Sequence, residues 1–121
     1  MRRVLDTNII LYLLGGRLAE PLEPAEYFVS VITELELLSY PSLDVSEEQQ
    51  IRVFLDEVTL VGLTREVRQT AILLRRQHGL KLPDAIVAAT ASALNAELLT
   101  NDAKLLQVPG LATRKVGLTS P

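Results

Sequence analysis

Apolar positions along the chain fall into short blocks whose spacing switches between strand-like and helical. Val4-Leu5 closes a first buried strand, and Asp6-Thr7-Asn8 are helix-capping types. Ile9 to Leu14 is then an apolar run ending at Gly15-Gly16. Pro21 and Pro24 mark a loop, and Tyr27-Phe28-Val29 reads as a second strand. A helix follows from Ser30 to Leu38 and stops before Pro41. Ser46-Glu47-Glu48-Gln49 has the form of a capping box, with Ile51, Phe54, Leu55 and Val58 at helical spacing behind it. A strand is predicted over 59–63. Thr64 then caps a helix through Val67, Ala71 and Leu74 to His78, with Gly79 just past its end. Pro83 opens a helix over 84–93, whose alanines on every side predict a place in the interior, close against its neighbours. A strand at 97–100, a short helix at 101–106 and a weak strand at 112–116 complete the pattern.

Strands alternating with helices predict an α/β fold, a three-layer α/β/α arrangement around a mostly parallel central sheet. With 121 residues the chain suffices for a single domain, 1–121, and is short for two. No apolar run reaches the roughly 18 residues of a membrane span. The basic start Met1-Arg2-Arg3 is followed by an apolar run broken at Asp6 and Asn8, which is not the form of a signal peptide. The expectation is a cytoplasmic protein with no membrane association.

Four acids stand where this architecture would gather them: Asp6, Glu36, Asp84 and Asp102. In at least three cases the acid lies just past a strand, and parallel strands share one carboxyl edge, where open α/β sheets bind ligands. Each also has a local explanation. Asp6 and Asp102 sit at helix starts, Thr33 and Glu36 have capping-box spacing, and Asp84 falls in a first turn. Glu34 competes with Glu36, since the two point to different faces of one helix. Ile32, Leu35 and Leu38 should mark its core side, and spacing alone leaves the choice open.

Composition narrows the chemistry. There is no cysteine, and the only histidine, His78, lies at a helix end. Thiolate chemistry, zinc sites and Ser-His-Asp triads are therefore disfavoured. Any metal must be held by oxygen, which selects hard cations, Mg²⁺ or Mn²⁺. Such an ion would also give crowded carboxylates a reason to be together. The net charge of −3 argues at first against a nucleic-acid partner. Setting the four candidate acids aside from the 15 leaves 11 against 12 basic residues, so the body of the chain is nearly neutral.

Four segments in order carry a resemblance. Leu5-Asp6-Thr7-Asn8, Ser30 to Leu38, Leu82-Pro83-Asp84 with the alanine-rich run to Ala91, and Leu98 to Asp102 together resemble a PIN-domain nuclease. The small form resembles the toxin of prokaryotic VapBC toxin–antitoxin pairs. The resemblance spans nearly the whole chain. It implies a PIN-like fold and an Mg²⁺- or Mn²⁺-dependent endoribonuclease. Its site would be Asp6, Glu36 (rather than Glu34), Asp84 and Asp102, with Asp6 and Asp84 as principal metal ligands. It also places Thr7, Asn8 and Thr100 on supporting polar positions. Many relatives carry a glycine where this chain has Ser39-Tyr40-Pro41, a difference confined to a loop.

The partners so implied are an RNA substrate, single-stranded or looped because its bases are then accessible, and an antitoxin. Arg17, Lys81 and Lys104 are candidates for phosphate contact. The run Ile9 to Leu14 is apolar around the whole helix. That predicts either a groove filled by another chain, antitoxin or a second copy in a homodimer, or burial by this chain's own 35–38 helix. Three alternatives stand beside this reading: a PIN nuclease acting in RNA processing, a binding module that kept the fold, and a phosphoaspartyl hydrolase using Asp6. The last wants an acid two residues on, where Asn8 stands, and a late lysine, for which only Lys104 qualifies.

Overall fold

The computed structural model describes residues 1–120. Five strands, β1 (Arg2–Leu5), β2 (Glu26–Ser30), β3 (Thr59–Val61), β4 (Glu97–Leu99) and β5 (Thr113–Arg114), form one sheet in the order β3-β2-β1-β4-β5. Every pairing is parallel. Six helices connect them: α1 (Thr7–Leu14), α2 (Val31–Leu38), α3 (Val45–Asp56), α4 (Arg65–His78), α5 (Leu82–Ala93) and α6 (Ala103–Leu106). The expected layered α/β architecture is thus observed, with a sheet that is wholly rather than mostly parallel. No helix among the described residues is long and apolar enough to cross a membrane.

The alternation of strand side chains divides the core between the two faces. Val4 and Leu98 point into one cluster with Val67, Ala71, Leu80, Leu105 and the buried side of α5. Their neighbours Leu5, Val29 and Leu99 point into the other, with Ile9, Ile10, Leu37, Ile51 and Leu55. Each of these large side chains contributes about 1.5–3 kcal/mol by leaving water. Arg3 shares the second face and is buried. It bonds Glu23 at 3.1 Å, while its Nε lies 3.3 Å from Glu97 Oε1, off the line of a hydrogen bond.

Several boundaries move for identifiable reasons. The cap of α3 is Asp44, whose carboxylate accepts from Glu47 N at 2.7 Å while Glu47 reaches back to Asp44 N, so the capping box starts two residues before Ser46. In α5 Leu82 takes the first position and Pro83 the second, with Lys81 as N-cap. In α2 the buried face is Thr33 and Leu37, whereas Leu35, expected in the core, is 58% exposed. Apolarity misled there because a threonine occupies the inward face. The apolar α1 is mostly absorbed by its own chain: Ile9 and Ile10 are buried, and Leu11, Tyr12 and Leu14 pack on the second cluster beside Leu38 and Phe54. A cleft of about 450 Å³ stays open between Leu11, Leu14, Tyr40, Leu43 and Ile51.

Helix α5 is the interior helix its alanines predicted, with Ala85 through Ala91 buried on all sides. Ala88 is 0% exposed, so a longer side chain there must displace packed neighbours. Ala88→Leu should therefore destabilise the protein by about 1–3 kcal/mol in chemical denaturation. Ser92→Ala, at an exposed position of the same helix, should stay within about 0.5 kcal/mol of wild type.

Candidate active site

The strand order reverses on either side of β1, so the crevice beyond the carboxyl ends of β1 and β4 is a topological switch point. Asp6 follows β1 directly, and its amide bonds Leu99 O at 3.1 Å, which ties it to the end of β4. It caps α1: Oδ1 accepts from Thr7 N at 2.9 Å, and Oδ2 accepts from the Thr100 hydroxyl at 2.7 Å. Each oxygen keeps a second lone pair. The same Thr100 oxygen accepts the amide of Asp102 at 3.0 Å, so one hydroxyl links two acids. Asp102 caps α6 through Lys104 N at 2.8 Å and Leu105 N at 3.3 Å.

Glu36 comes from α2 and is fixed to the β1 end by Thr7, whose hydroxyl donates to Oε1 at 2.7 Å. The Thr33 hydroxyl stands 3.2 Å from that same Thr7 oxygen. The local cap explanation for Glu36 is thereby removed, because Ser30 caps α2 by accepting from Ile32 N at 3.2 Å. Asp84 arrives from the first turn of α5, preceded by α4 and not by a strand. It is partly buried and takes part in the same electrostatic cluster.

That clustering is visible in the acids themselves. Burial pushes the Asp6 carboxyl above its usual range. The Thr100 and Thr7 hydrogen bonds oppose the shift, and the charges of Asp102 and Glu36 add to it. Burial also raises Asp84, assisted by Asp102, Asp6 and Glu36 and opposed by Lys81. The four acids are thus brought within electrostatic reach of one another. Three of the local explanations hold as well: capping by Asp6 and Asp102, and a first-turn position for Asp84.

Thr7 and Thr100 support the cluster directly, while Asn8 is exposed to solvent. Thr33 and Asn101 lay outside the site read from sequence. Asn101 clamps the chain after β5, donating to Val116 O at 3.1 Å and accepting from Val116 N at 2.8 Å. Its place directly before an acid and after a strand was the only signal. Arg17 and Lys104 are exposed; Lys104 meets Asp102 only through its backbone amide, while the charge of Lys81 acts on Asp84.

The donor set fits a hard divalent cation, since it consists of carboxylate oxygens whose like charges lie unneutralised in a partly desolvated crevice. Among the described residues no three His, Asp or Glu side chains close on a point to enclose an ion by themselves. An ion held here would have to complete its shell with water, as Mg²⁺ and Mn²⁺ do.

The fold has counterparts among known proteins. The profile of the PIN domain matches residues 3–111. This chain belongs to the PIN-domain family. Among solved structures, a toxin–antitoxin complex from Klebsiella pneumoniae is similar, with 30% identity, TM-score 0.79, and 92% of this chain and 96% of that one covered. VapBC2 from Rickettsia felis, bound to a DNA fragment from its promoter, has 20% identity and TM-score 0.79 over 95% and 98% of the two chains. VapBC from Salmonella typhimurium, also DNA-bound, has 17% identity and TM-score 0.78 over the same shares. The resemblance to VapC-type PIN proteins read from the four motifs is therefore found again in the fold. No curated protein matches the chain by sequence.

The raised Asp84 carboxyl makes a thermodynamic prediction. A folded-state pKa above the unfolded value means that ionisation costs the folded state. This acid's stabilising contribution is complete below about 3.8 and is lost as pH rises through the folded pKa. Asp84→Asn should therefore melt above wild type in chelator at neutral pH, by no more than about 1 kcal/mol in stability, because solvent screens this partly exposed group. The gap should close as pH falls towards 4 and shrink or reverse with Mn²⁺, which stabilises only the form that binds it. A variant less stable than wild type in chelator, with the same deficit in Mn²⁺, would return Asp84 to a purely first-turn role.

Proposed function

We propose that this chain is a metal-dependent endoribonuclease, the toxin of a VapBC-type pair, with Asp6, Glu36, Asp84 and Asp102 as its site. The observation that supports this best is the meeting of four carboxylates at the switch point of a PIN-family sheet. Asp6 and Asp84 would hold the cation, Mg²⁺ or Mn²⁺, and Glu36 and Asp102 would bind it directly or through water. When bound, such an ion supplies positive charge at the scissile phosphate and acidifies a water nucleophile.

The chain's own residues do the positioning. Thr100 and the Thr7 amide fix both oxygens of Asp6, and the Thr7 hydroxyl fixes Glu36, so the ligands need little reorganisation when an ion arrives. In-line hydrolysis of an RNA phosphodiester would leave a 5′-phosphate and a 3′-hydroxyl, as the resemblance to PIN nucleases implies. The antitoxin partner is supported by the toxin–antitoxin complexes among the similar structures. The open apolar cleft between Leu11, Leu14, Tyr40, Leu43 and Ile51 offers a segment of that partner a seat. A phosphoaspartyl role fits poorly, because Asp6 is 8% exposed with both oxygens engaged and Asn8 stands where that chemistry wants an acid.

Cleavage of single-stranded RNA by purified protein, with Mg²⁺ or Mn²⁺ against chelator, tests the reading. Asp6→Asn, Glu36→Gln and Asp84→Asn should each lose about 100-fold or more in rate while keeping the folded circular-dichroism spectrum. Thr100→Val should lose about 10–100-fold by freeing Asp6. Glu34→Gln should cut like wild type. Full activity in a well-folded Asp84→Asn protein would refute the metal site, and an essential Glu34 with a dispensable Glu36 would reassign the second acid.

A further inference from the structure

Outside the acid cluster the most one-sided charge lies on α4. Four of the chain's 12 basic residues, Arg65, Arg68, Arg75 and Arg76, stand on this helix, against one acid, Glu66. Val67 and Ala71 turn inward. Helical spacing therefore puts Arg65, Arg68, Ile72 and Arg76 on one outward stripe roughly 16 Å long. All four are exposed. The ion pairs among the described residues lie elsewhere, at Arg3, Arg52 and Arg114, so Arg65, Arg76 and Lys81 have no carboxylate within 4.0 Å.

The stripe also has a direction. Its C-terminal end turns through Gly79 and Leu80 into α5, and Arg75 Nε holds that turn by donating to Leu80 O at 3.2 Å. Lys81 is the N-cap of α5 but makes no capping bond with its side chain, and it stands three residues before Asp84. Its charge is felt at the Asp84 carboxyl. A line of unpaired cations thus runs along α4 and ends beside the acids.

We propose that Arg65, Arg68, Arg76 and Lys81 form the docking track for the sugar–phosphate backbone of a single-stranded RNA, delivering one phosphate to the acid cluster. This rests on the nuclease reading above. A polyanion is repelled by four carboxylates, so a substrate must gain its binding energy from cations beside them, and backbone charge supplies that without sequence preference. RNA is favoured over an acidic polypeptide because the track ends where phosphodiester chemistry is assigned.

The test is fluorescence anisotropy of a labelled oligouridine of about 20 nucleotides. Chelator is present so that nothing is cut, and the titration is repeated over a salt series. The triple variant Arg65→Gln/Arg76→Gln/Lys81→Gln should bind at least about tenfold more weakly and lose about 2 from the log–log salt slope, at about 0.7 per single-strand phosphate contact. Its Mn²⁺-dependent cleavage should show a raised KM with kcat near wild type. The control Arg52→Gln/Lys115→Gln should change neither slope nor KM. If the triple variant does not fold, Arg76→Gln and Lys81→Gln singly should each lower the slope by about 0.7.

Wild-type affinity and slope in the folded variants would overturn the track, as would equal affinity of the wild type for poly-glutamate, which marks a protein-facing surface. A triple variant with wild-type KM beside an inactive Asp6→Asn overturns the track and leaves the nuclease reading standing. Binding through the stripe with no cleavage under either cation supports the track and overturns that reading.

Discussion

The repulsion between four carboxylates gathered at one crevice is the constraint that the surrounding structure has to answer. Like charges within electrostatic reach of one another in a partly desolvated site cost the fold free energy, and the neighbouring elements each offset part of it. Three of the acids, Asp6, Asp84 and Asp102, sit at the N-terminal ends of α1, α5 and α6, where the orphan amides and the partial positive charge of a helix start favour an anion. Two threonine hydroxyls add to this, Thr7 donating to Glu36 and Thr100 to Asp6. The capping and the functional explanations of these acids are therefore one explanation, because helix starts are the cheapest places in an α/β fold to concentrate negative charge.

Sheet order makes the convergence possible. With β1 central and β2 and β4 on either side, the residues just past three strand ends open onto one crevice. Glu36 is carried there by the helix after β2, and Asp102 by the turn after β4. Asp84 reaches it by another route, from the start of a helix that no strand precedes. Position along α5 is then held by packing and by the Arg75–Leu80 hydrogen bond at the turn before it. The run of buried alanines lets that helix lie against both the sheet and α4, and any side chain that pushed it outward would carry Asp84 with it.

Much of this was legible in the chain because the local signals agreed with the global pattern. Alternating blocks placed all five strands and all six helices, and Asp6 and Asp102 announced themselves as capping residues behind apolar strands. The failures have a common cause. Leu35 was expected inward because leucine is usually core, yet Thr33 and Leu37 are the inward pair, since a threonine there contacts the Thr7 hydroxyl beside Glu36. Hydrophobic periodicity cannot find a buried polar residue whose partner lies on another element. The choice between Glu34 and Glu36 was open for the same reason, and in the fold it is Glu36 that meets Thr7. Similarly, nothing in the spacing marked Asn101 as the clamp on Val116.

Net charge shows how a summed quantity can hide the arrangement that matters. At −3 the chain looks unsuited to a polyanion. Its negative charge, however, is concentrated where an ion would neutralise it, and an unpaired positive stripe lies on the adjacent helix. Screening acts over about 8–10 Å at physiological salt, so an approaching chain responds to the local patch and hardly to the total. A strongly basic protein would bind RNA anywhere on its surface. Balanced charge with opposite signs set side by side would instead direct a polyanion along one path, and on the reading proposed above that path would end at the acid cluster.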